Sequence, residues 1–511
     1  MPDVTVLVGE PLTFDDVVAV ARRGAPVALA PGLSERLANR RALVERAVAS
    51  GRAVYGITTG IGDLARVRID PAEALRLQRD IVRSHATAVG PPLPAEVVRA
   101  MLLLKARTFA TGVSGVRVEL VEALVRLLNE GLHPVVPTQG SLGASGDLAL
   151  LAHLALPLIG EGALEHGGEV RPAGEVLSEH GIEPLELSYK EGLSLVNGTE
   201  AMLAMGILAL DRAEELARCA DVCAAMSIEA LLGTDATFDD RIVSLRAHRG
   251  ARTVAANLRT LLANSAIVAS HRASDHLVQD AYSLRCVPQV HGAYRDALAY
   301  VRATLEDELG SAVDNPSVLD DGEVASGGNF HGEALGLALD HLTLVVTGYA
   351  TIAERRVARL VDPALSNGLP AFLTLDPGRR SGFMIAQYTA ASLVSESRAL
   401  CFPASADSIP TSAGQEDHVS MGATAARKTQ AVLANSENVL AIEALAASQG
   451  LDLRAPLEPA PATAAARRAV RAVAAFLDHD RPLAEDIAAV RGVLTAGELS
   501  AAARATCGAP A

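Results

Sequence analysis

Large rings are scarce in this sequence: among 511 residues there are 8 Phe, 7 Tyr and no Trp. A core without them must be filled by Ala, Leu and Val, which favours helices over sheets. Cysteine is also rare. The five residues Cys219, Cys223, Cys286, Cys401 and Cys507 are scattered and odd in number, and none forms a C-x-x-C pair. That excludes a disulfide framework and points to a reducing compartment. Basic charge is in deficit, with 45 Lys+Arg against 60 Asp+Glu and a formal net charge of −15. A broad basic surface for nucleic acid or anionic lipid is therefore excluded. Long apolar runs are missing too. Leu148–Gly160 is interrupted by His153 and Pro157, and the run bracketed by Asp340 and Glu354 is equally short. Both fall below the roughly 20 residues that a spanning helix needs. Met1-Pro2-Asp3 does not open a basic segment followed by an apolar one, so no signal peptide is expected. The expectation is a soluble, cytoplasmic protein with neither a nucleic-acid nor a membrane partner.

Hydrophobic residues are plentiful, at 50% with mean hydropathy +0.25, enough for a large core and too many for a disordered chain. Residues 1–60 mix short apolar runs (Val4–Val8, Val27–Leu29) with helical patterns, and from about residue 70 nearly everything reads as helix. Asp70-Pro71-Ala72-Glu73 is a helix start, with Asp as N-cap, Pro at N1 and Glu at N3. That helix should reach His85 and stop before Gly90-Pro91-Pro92. Further helices are predicted at 95–109, 117–130, 147–157, 199–232, 252–266, 293–308, 332–360, 383–399 and 419–448. Pro456–Pro461 reads as a linker and 463–505 as a helical tail. The predicted fold is mainly α, a long central helical bundle with a smaller mixed N-terminal region. The predicted segments are 1–198, 199–455 and 456–511.

Three Gly-rich loops interrupt the helices: Tyr55–Gly62, Gln139–Asp147 and Ser326–Gly332. Three such loops on a rigid helical scaffold suggest a site built from loops, although any one of them alone reads more readily as an ordinary turn. Familiar nucleotide and hydrolase signatures are absent. Gly140, Gly143 and Gly146 are spaced G-x-x-G-x-x-G rather than G-x-G-x-x-G, there is no P-loop, and Ser145 misses the G-x-S-x-G elbow. The thirteen histidines show no H-E-x-x-H and no tight ligand spacing, so no metal is expected.

The second loop carries Gly140-Ser141-Leu142-Gly143-Ala144-Ser145-Gly146-Asp147-Leu148-Ala149. It resembles the loop of the aromatic amino acid ammonia-lyases and their aminomutase relatives, in which Ala-Ser-Gly cyclises with loss of two waters to a methylidene-imidazolone (MIO). The residue types suit that chemistry. Gly146 leaves its amide nitrogen unobstructed, Ser145 has a β-hydroxyl that can leave, and Ala144 is small. The resemblance extends along essentially the whole chain. Tyr55–Gly60 resembles the family's tyrosine loop and Leu195–Thr199 its asparagine motif. Gln279–Cys286, Asp314-Asn315-Pro316, Asn329–Gly332 and Gln415–Met421 follow in family order. The resemblance implies a mainly α-helical homotetramer with active sites drawn from three subunits, a small-molecule amino acid substrate and an MIO formed from Ala144-Ser145-Gly146.

Residue roles follow from the same resemblance. Tyr55 is the candidate base for a β-proton, with Glu416 as its rival. Asn197 bonds the MIO and substrate, although the residues alone would equally let it cap the next helix. Tyr282 and Gln279 orient the prosthetic group and substrate, and Arg285 takes the α-carboxylate, as a half-buried guanidinium suits. Phe330 packs on the substrate ring, while His331 and His418 carry no assigned role. The substrate is read at two positions. Ser84-His85 is the pair that histidine lyases of this family carry, where tyrosine lyases have His-Leu and phenylalanine lyases Phe-Leu. Glu416 stands where phenylalanine and tyrosine lyases have Gln, and a carboxylate suits an imidazole. The resemblance therefore implies elimination of ammonia from L-histidine to trans-urocanate. The alternatives are a 2,3-aminomutase or a lyase acting on another aromatic amino acid. Thr58, Ile61, Thr87-Ala88, Leu150, Val287, His291 and Arg379-Arg380 depart from the family pattern. Thr58 and Ile61 are expected in the lid loop and Thr87-Ala88 in the ring pocket.

Overall fold

A computed structural model of the chain describes residues 4–50, 54–62, 66–273 and 278–507. The expectation placed on Met1-Pro2-Asp3, and the last residues of the 456–511 segment, lie outside them. The fold is 61% helical, with twenty α-helices among the described residues and only short strands, in agreement with the mainly α expectation. The chain divides into two compact units interleaved along the sequence: Met1–Leu208, Arg302–Asp340 and Pro403–Arg427 in one, Ala209–Val301, His341–Phe402 and Lys428–Ala511 in the other. Four long helices, Glu200–Ala230, Val287–Gly310, Glu333–Val361 and Gly422–Leu453, give one end to each unit.

In the first unit, Val6–Val8 pairs in parallel with Val27–Leu29. Between them, the Phe14–Arg23 helix is closed by a Thr13/Asp16 capping box and by Gly24 at φ +67°. The Pro71–His85 helix begins as its sequence predicts: the Glu73 and Ala74 N–H groups both donate to Asp70 O at 2.9 Å. Its buried face is Ala74, Gln78, Ile81 and Val82, the i, i+4, i+7, i+8 stripe of an amphipathic helix. That face packs on the Glu191–Val196 and Leu148–Ala155 helices. The approach is close enough that a Cβ on Gly192 would lie 2.0 Å from Gln78 O. The buried Gln78 joins the pieces, donating to Gly56 O at 3.4 Å and accepting from the Leu193 N–H at 3.3 Å. One helix thus sets the positions of the tyrosine loop, the asparagine motif and the serine loop.

The second unit encloses two clusters of paired charges. Arg356 and Glu443 are fully enclosed, joined by a bond of 2.9 Å from Arg356 Nη2 to Glu443 Oε2. Asp221 accepts from His291 at 2.8 Å, from Arg295 at 2.8 Å and from Asn257 at 3.0 Å. Asn257 has further polar contacts.

Boundaries shift where proline and glycine act. The helix expected from 293 starts at Val287, since Pro288 is tolerated in a first turn. The helix expected over 147–157 ends at Ala155 and tightens to a 3₁₀ turn over Leu156–Ile159, with Pro157 inside. The Gly422–Leu453 helix runs past Gly450, where a Cβ would lie 2.9 Å from Ala230 Cβ. Glu333–Val361 corrects the reading of the run between Asp340 and Glu354. By length and composition this helix passes as membrane-crossing, but 72% of its apolar window is buried inside the protein, so it reads as a core helix.

Candidate active site

The Gly140–Asp147 loop is held by its own backbone and by Asp147. Gly146 sits at φ +78°, and a Cβ there would lie 1.9 Å from Gly198 O, so no other residue fits. Gly198 O accepts the Asp147 N–H at 2.7 Å. The Asp147 carboxylate is fully buried. It accepts from the Ala201 and Met202 N–H groups at 3.0 and 2.9 Å, in the first turn of the Glu200–Ala230 helix, and from Ser141 Oγ at 3.0 Å. Burial outweighs these bonds and pushes its pKa up to about 7. A folded state holding this proton gains stability as pH falls from about 7 toward the ordinary carboxylate value and loses it as pH rises through 7. In urea titrations, the wild type should gain on Asp147→Asn over that window and run parallel to it above pH 8. Parallel curves throughout would contradict the assignment.

Two adjoining cavities of about 510 and 280 Å³ open on this loop, and their lining residues all belong to the first unit. Tyr55, Ser145, Asn315, Phe330 and Glu416 line both, Ala144 lines the larger, and His85 and Asn197 the smaller. Tyr55 Oη accepts the Gly62 N–H at 3.0 Å. Ser145 Oγ donates to Glu416 Oε1 at 2.9 Å, and Glu416 Oε2 accepts from Thr411 Oγ1 at 2.9 Å. The pair Thr411 and Glu416 is further locked by reciprocal backbone bonds at 2.9 and 3.2 Å. His85 Nδ1 lies 2.8 Å from Ile81 O. A carbonyl can only accept, so Nδ1 carries the proton and Nε2 is left as an acceptor. Burial holds the His85 pKa below its ordinary value, against the opposing Ile81 bond and Glu416 charge, which keeps the ring neutral at pH 7.

The fold therefore brings Tyr55, His85, Ala144, Ser145, Asn197, Phe330 and Glu416 to one place, with the buried Gly146 behind them. Ser84 is exposed and does not line either cavity; its Oγ donates to Ile81 O at 3.1 Å. Gln279, Tyr282 and Arg285 belong to the second unit and line neither cavity. There Gln279 is exposed, Tyr282 is 70% exposed, and the Arg285 guanidinium stacks 4.8 Å from the Tyr282 ring. Of the departures from the family pattern, Ile61 alone lines either of these two cavities. Thr87 is exposed, and Ala88 is buried with its Cα 3.0 Å from where a Gly140 Cβ would stand. Neither residue of the Thr87-Ala88 pair, expected in the ring pocket, lines the two cavities, and Ala88 packs beneath the loop instead. Asn315 received no role from the sequence. The Asp314-Asn315-Pro316 motif was the signal for it, but a motif cannot show which of its residues faces a cavity.

Residues 12–472 match the aromatic amino acid lyase family. The chain is 53% identical over 504 residues to a histidine ammonia-lyase of Symbiobacterium thermophilum, covering 98% of this chain and 99% of the relative. It is 50% identical over 509 residues to one of Gloeobacter violaceus, covering 99% of each. Among solved structures, histidine ammonia-lyase from Trypanosoma cruzi superposes with a TM-score of 0.91 at 43% identity, covering 98% of this chain and 95% of that one. Tyrosine aminomutase from Streptomyces globisporus superposes with a TM-score of 0.93 at 38% identity, covering 99% of each chain. With its serine loop, tyrosine loop and asparagine motif gathered on one cavity and this likeness over nearly its full length, the chain belongs to the aromatic amino acid lyase family.

Proposed function

We propose that the chain is a histidine ammonia-lyase, converting L-histidine to trans-urocanate and ammonia. The observation that carries this reading is the juxtaposition of Glu416 and His85 on the cavity that Ser145 enters. Two acceptors, Glu416 Oε1 and His85 Nε2, suit the two N–H groups of a protonated imidazole ring, either one suits the single N–H of the neutral ring, and neither finds a donor on a phenyl ring.

The loop residues fit an MIO. Gly146 has a bare backbone pressed on Gly198, Ala144 is buried, and the Ser145 hydroxyl is in the cavity. Closure joins Gly146 N to the Ala144 carbonyl carbon with loss of one water, and the Ser145 hydroxyl leaves as the second. The group supplies an electrophile that makes the substrate nitrogen a good leaving group. Tyr55, in its phenolate form, takes the β-proton onto Oη. The C–H electron pair becomes the new double bond, and the Cα–N pair departs with nitrogen. When the Ser145 hydroxyl is lost, Glu416 Oε1 loses its partner and becomes available to the substrate imidazole. No metal enters this reading. Incubating purified protein with each aromatic amino acid, and following acrylate absorbance and free ammonia, tests it. Histidine should give both products, and a β-amino acid as sole product would make the enzyme an aminomutase.

The proposed enzyme is a homotetramer with shared sites, in which Gln279, Tyr282 and Arg285 come to this cavity from neighbouring copies. The exposed Tyr282, with the Arg285 guanidinium stacked on its ring, supports their use by another chain. Co-refolding Tyr55→Phe with Arg285→Ala subunits should restore activity from two inactive parents, read as ammonia release. Fully active monomers at high dilution would overturn the shared site. The dispersed cysteines and acidic charge suit a soluble cytoplasmic enzyme of this kind.

A further inference from the structure

Below the cavity lies an ion pair that the reaction above does not use. Lys190 Nζ stands 2.7 Å from Asp314 Oδ2, and both side chains are fully enclosed. Such pairs are often replaceable by apolar residues without loss of stability, so stability alone does not account for it. Lys190 also sits at φ +70°, a left-handed backbone that a lysine adopts at a cost.

What the pair holds is specific. Asp314 Oδ2 also accepts from Ser194 Oγ at 2.8 Å. Its Oδ1 accepts from the Asn315 N–H at 2.7 Å and from Asn197 Nδ2 at 3.3 Å. Asn197 Nδ2 donates as well to Asn315 O at 3.2 Å, so both of its amide hydrogens are used and Oδ1 is the atom left for a ligand. Asn315 Oδ1 in turn accepts the Gly327 N–H at 2.8 Å. Asn197, Asn315 and Gly327 all line the cavities. From the other side, Lys105 Nζ donates to Asn197 O at 2.6 Å. A carboxylate accepts about four hydrogen bonds, and Asp314 has four donors.

We propose that Asp314, paired with Lys190, is a positioning residue that ties two walls of the active site together and fixes the amide of Asn197 for catalysis. The inference rests on reading this cavity as the ammonia-lyase site. Lys190 balances the buried carboxylate, and Asp314 sets the rotamer of Asn197 and the start of the loop that carries Phe330.

Two double variants separate positioning from packing: Lys190→Met with Asp314→Asn, and Lys190→Met with Asp314→Leu. Both remove the ion pair, but only the first keeps an oxygen to accept from Asn197 and the Asn315 N–H. The Leu variant leaves Ser194 Oγ, the Asn315 N–H and Asn197 Nδ2 without their acceptor, so its urea midpoint should be the lower of the two, and kcat is compared without urea, where both are folded. The Asn variant should retain kcat on L-histidine within about fivefold of wild type. The Leu variant should lose about 100-fold in kcat with a much smaller change in KM, the scale of a misplaced catalytic group. Crystals of the Leu variant should show Asn197 in more than one rotamer, and those of the Asn variant in one. Equal kcat values in the two folded variants, or an unchanged Asn197 in the Leu variant, would overturn the proposal. If the wild type processes another aromatic amino acid and not histidine, the substrate reading fails instead, and the kcat comparison is made on that amino acid. The rotamer of Asn197 reads the proposal without any turnover.

Discussion

Ser145→Ala should remove turnover, lowering kcat by roughly 10⁴-fold or more, the scale seen when one member of a catalytic unit is lost. The chain should remain folded. Ser145 sits in a loop whose shape depends on Gly146 against Gly198 and on the buried Asp147, and the substitution touches neither. The bond to Glu416 Oε1 is given up in both proteins, by dehydration in the wild type and by substitution in the variant, so it does not separate their stabilities. Intact mass adds a readout independent of activity. The wild type should weigh less than its encoded chain by two waters, while Ser145→Ala, with no β-hydroxyl to lose, cannot show the second loss. Active wild-type protein at the full encoded mass would refute the MIO reading outright. Gly146→Ala makes the complementary test: its methyl would meet Gly198 O, so it should disturb the loop itself and lower the unfolding midpoint as well as activity.

The same contacts show what was legible in the sequence. Helices were readable because their signals are local: Asp70 and Pro71 start one, and Ala74, Gln78 and Ile81 mark its buried face. The loops were readable as motifs because they keep an unusual residue order. Contacts between distant segments were not. Nothing at Gly192 announces that Gln78 O will lie against it, and nothing at Lys190 announces Asp314, 124 residues away. The difference between Ser84 and His85, by contrast, is legible: helical spacing puts His85 on the face of Ala74, Leu77, Gln78 and Ile81, and it lines the cavity while Ser84 is exposed. Asp147 read as a loop residue before a helix. Its work is done at the first turn of another helix, where it accepts from Ala201 and Met202.

That difference between Ser84 and His85 sharpens the expected specificity. L-Histidine should exceed L-phenylalanine in kcat/KM by about 10⁴ or more, as sites built on polar pairing discriminate against analogues that leave the pairing unmade. The cavity offers His85 Nε2, kept an acceptor because Nδ1 is spent on Ile81 O, and Glu416 Oε1, whose present partner is the Ser145 hydroxyl. A phenyl ring would leave both unpaired and dry, a cost of about 1–3 kcal/mol for each group and more for the charged one. Tyrosine could satisfy one of them through its hydroxyl and should fall between. Glu416→Gln keeps the shape and the Thr411 contact but removes the charge, so histidine turnover should drop by about 10²-fold or more while the unfolding midpoint moves little. The replacement of Ser84-His85 by Phe-Leu should act almost entirely through position 85, and Ser84→Phe alone should leave kcat/KM within a few-fold of wild type. Substituting His85→Leu removes one acceptor and admits a larger apolar surface, so the ratio of histidine to phenylalanine turnover should narrow by orders of magnitude. Acrylate absorbance measured with all three amino acids on the wild type and these variants decides it. Faster turnover of phenylalanine or tyrosine than histidine by the wild type would defeat the histidine assignment and leave the family membership standing.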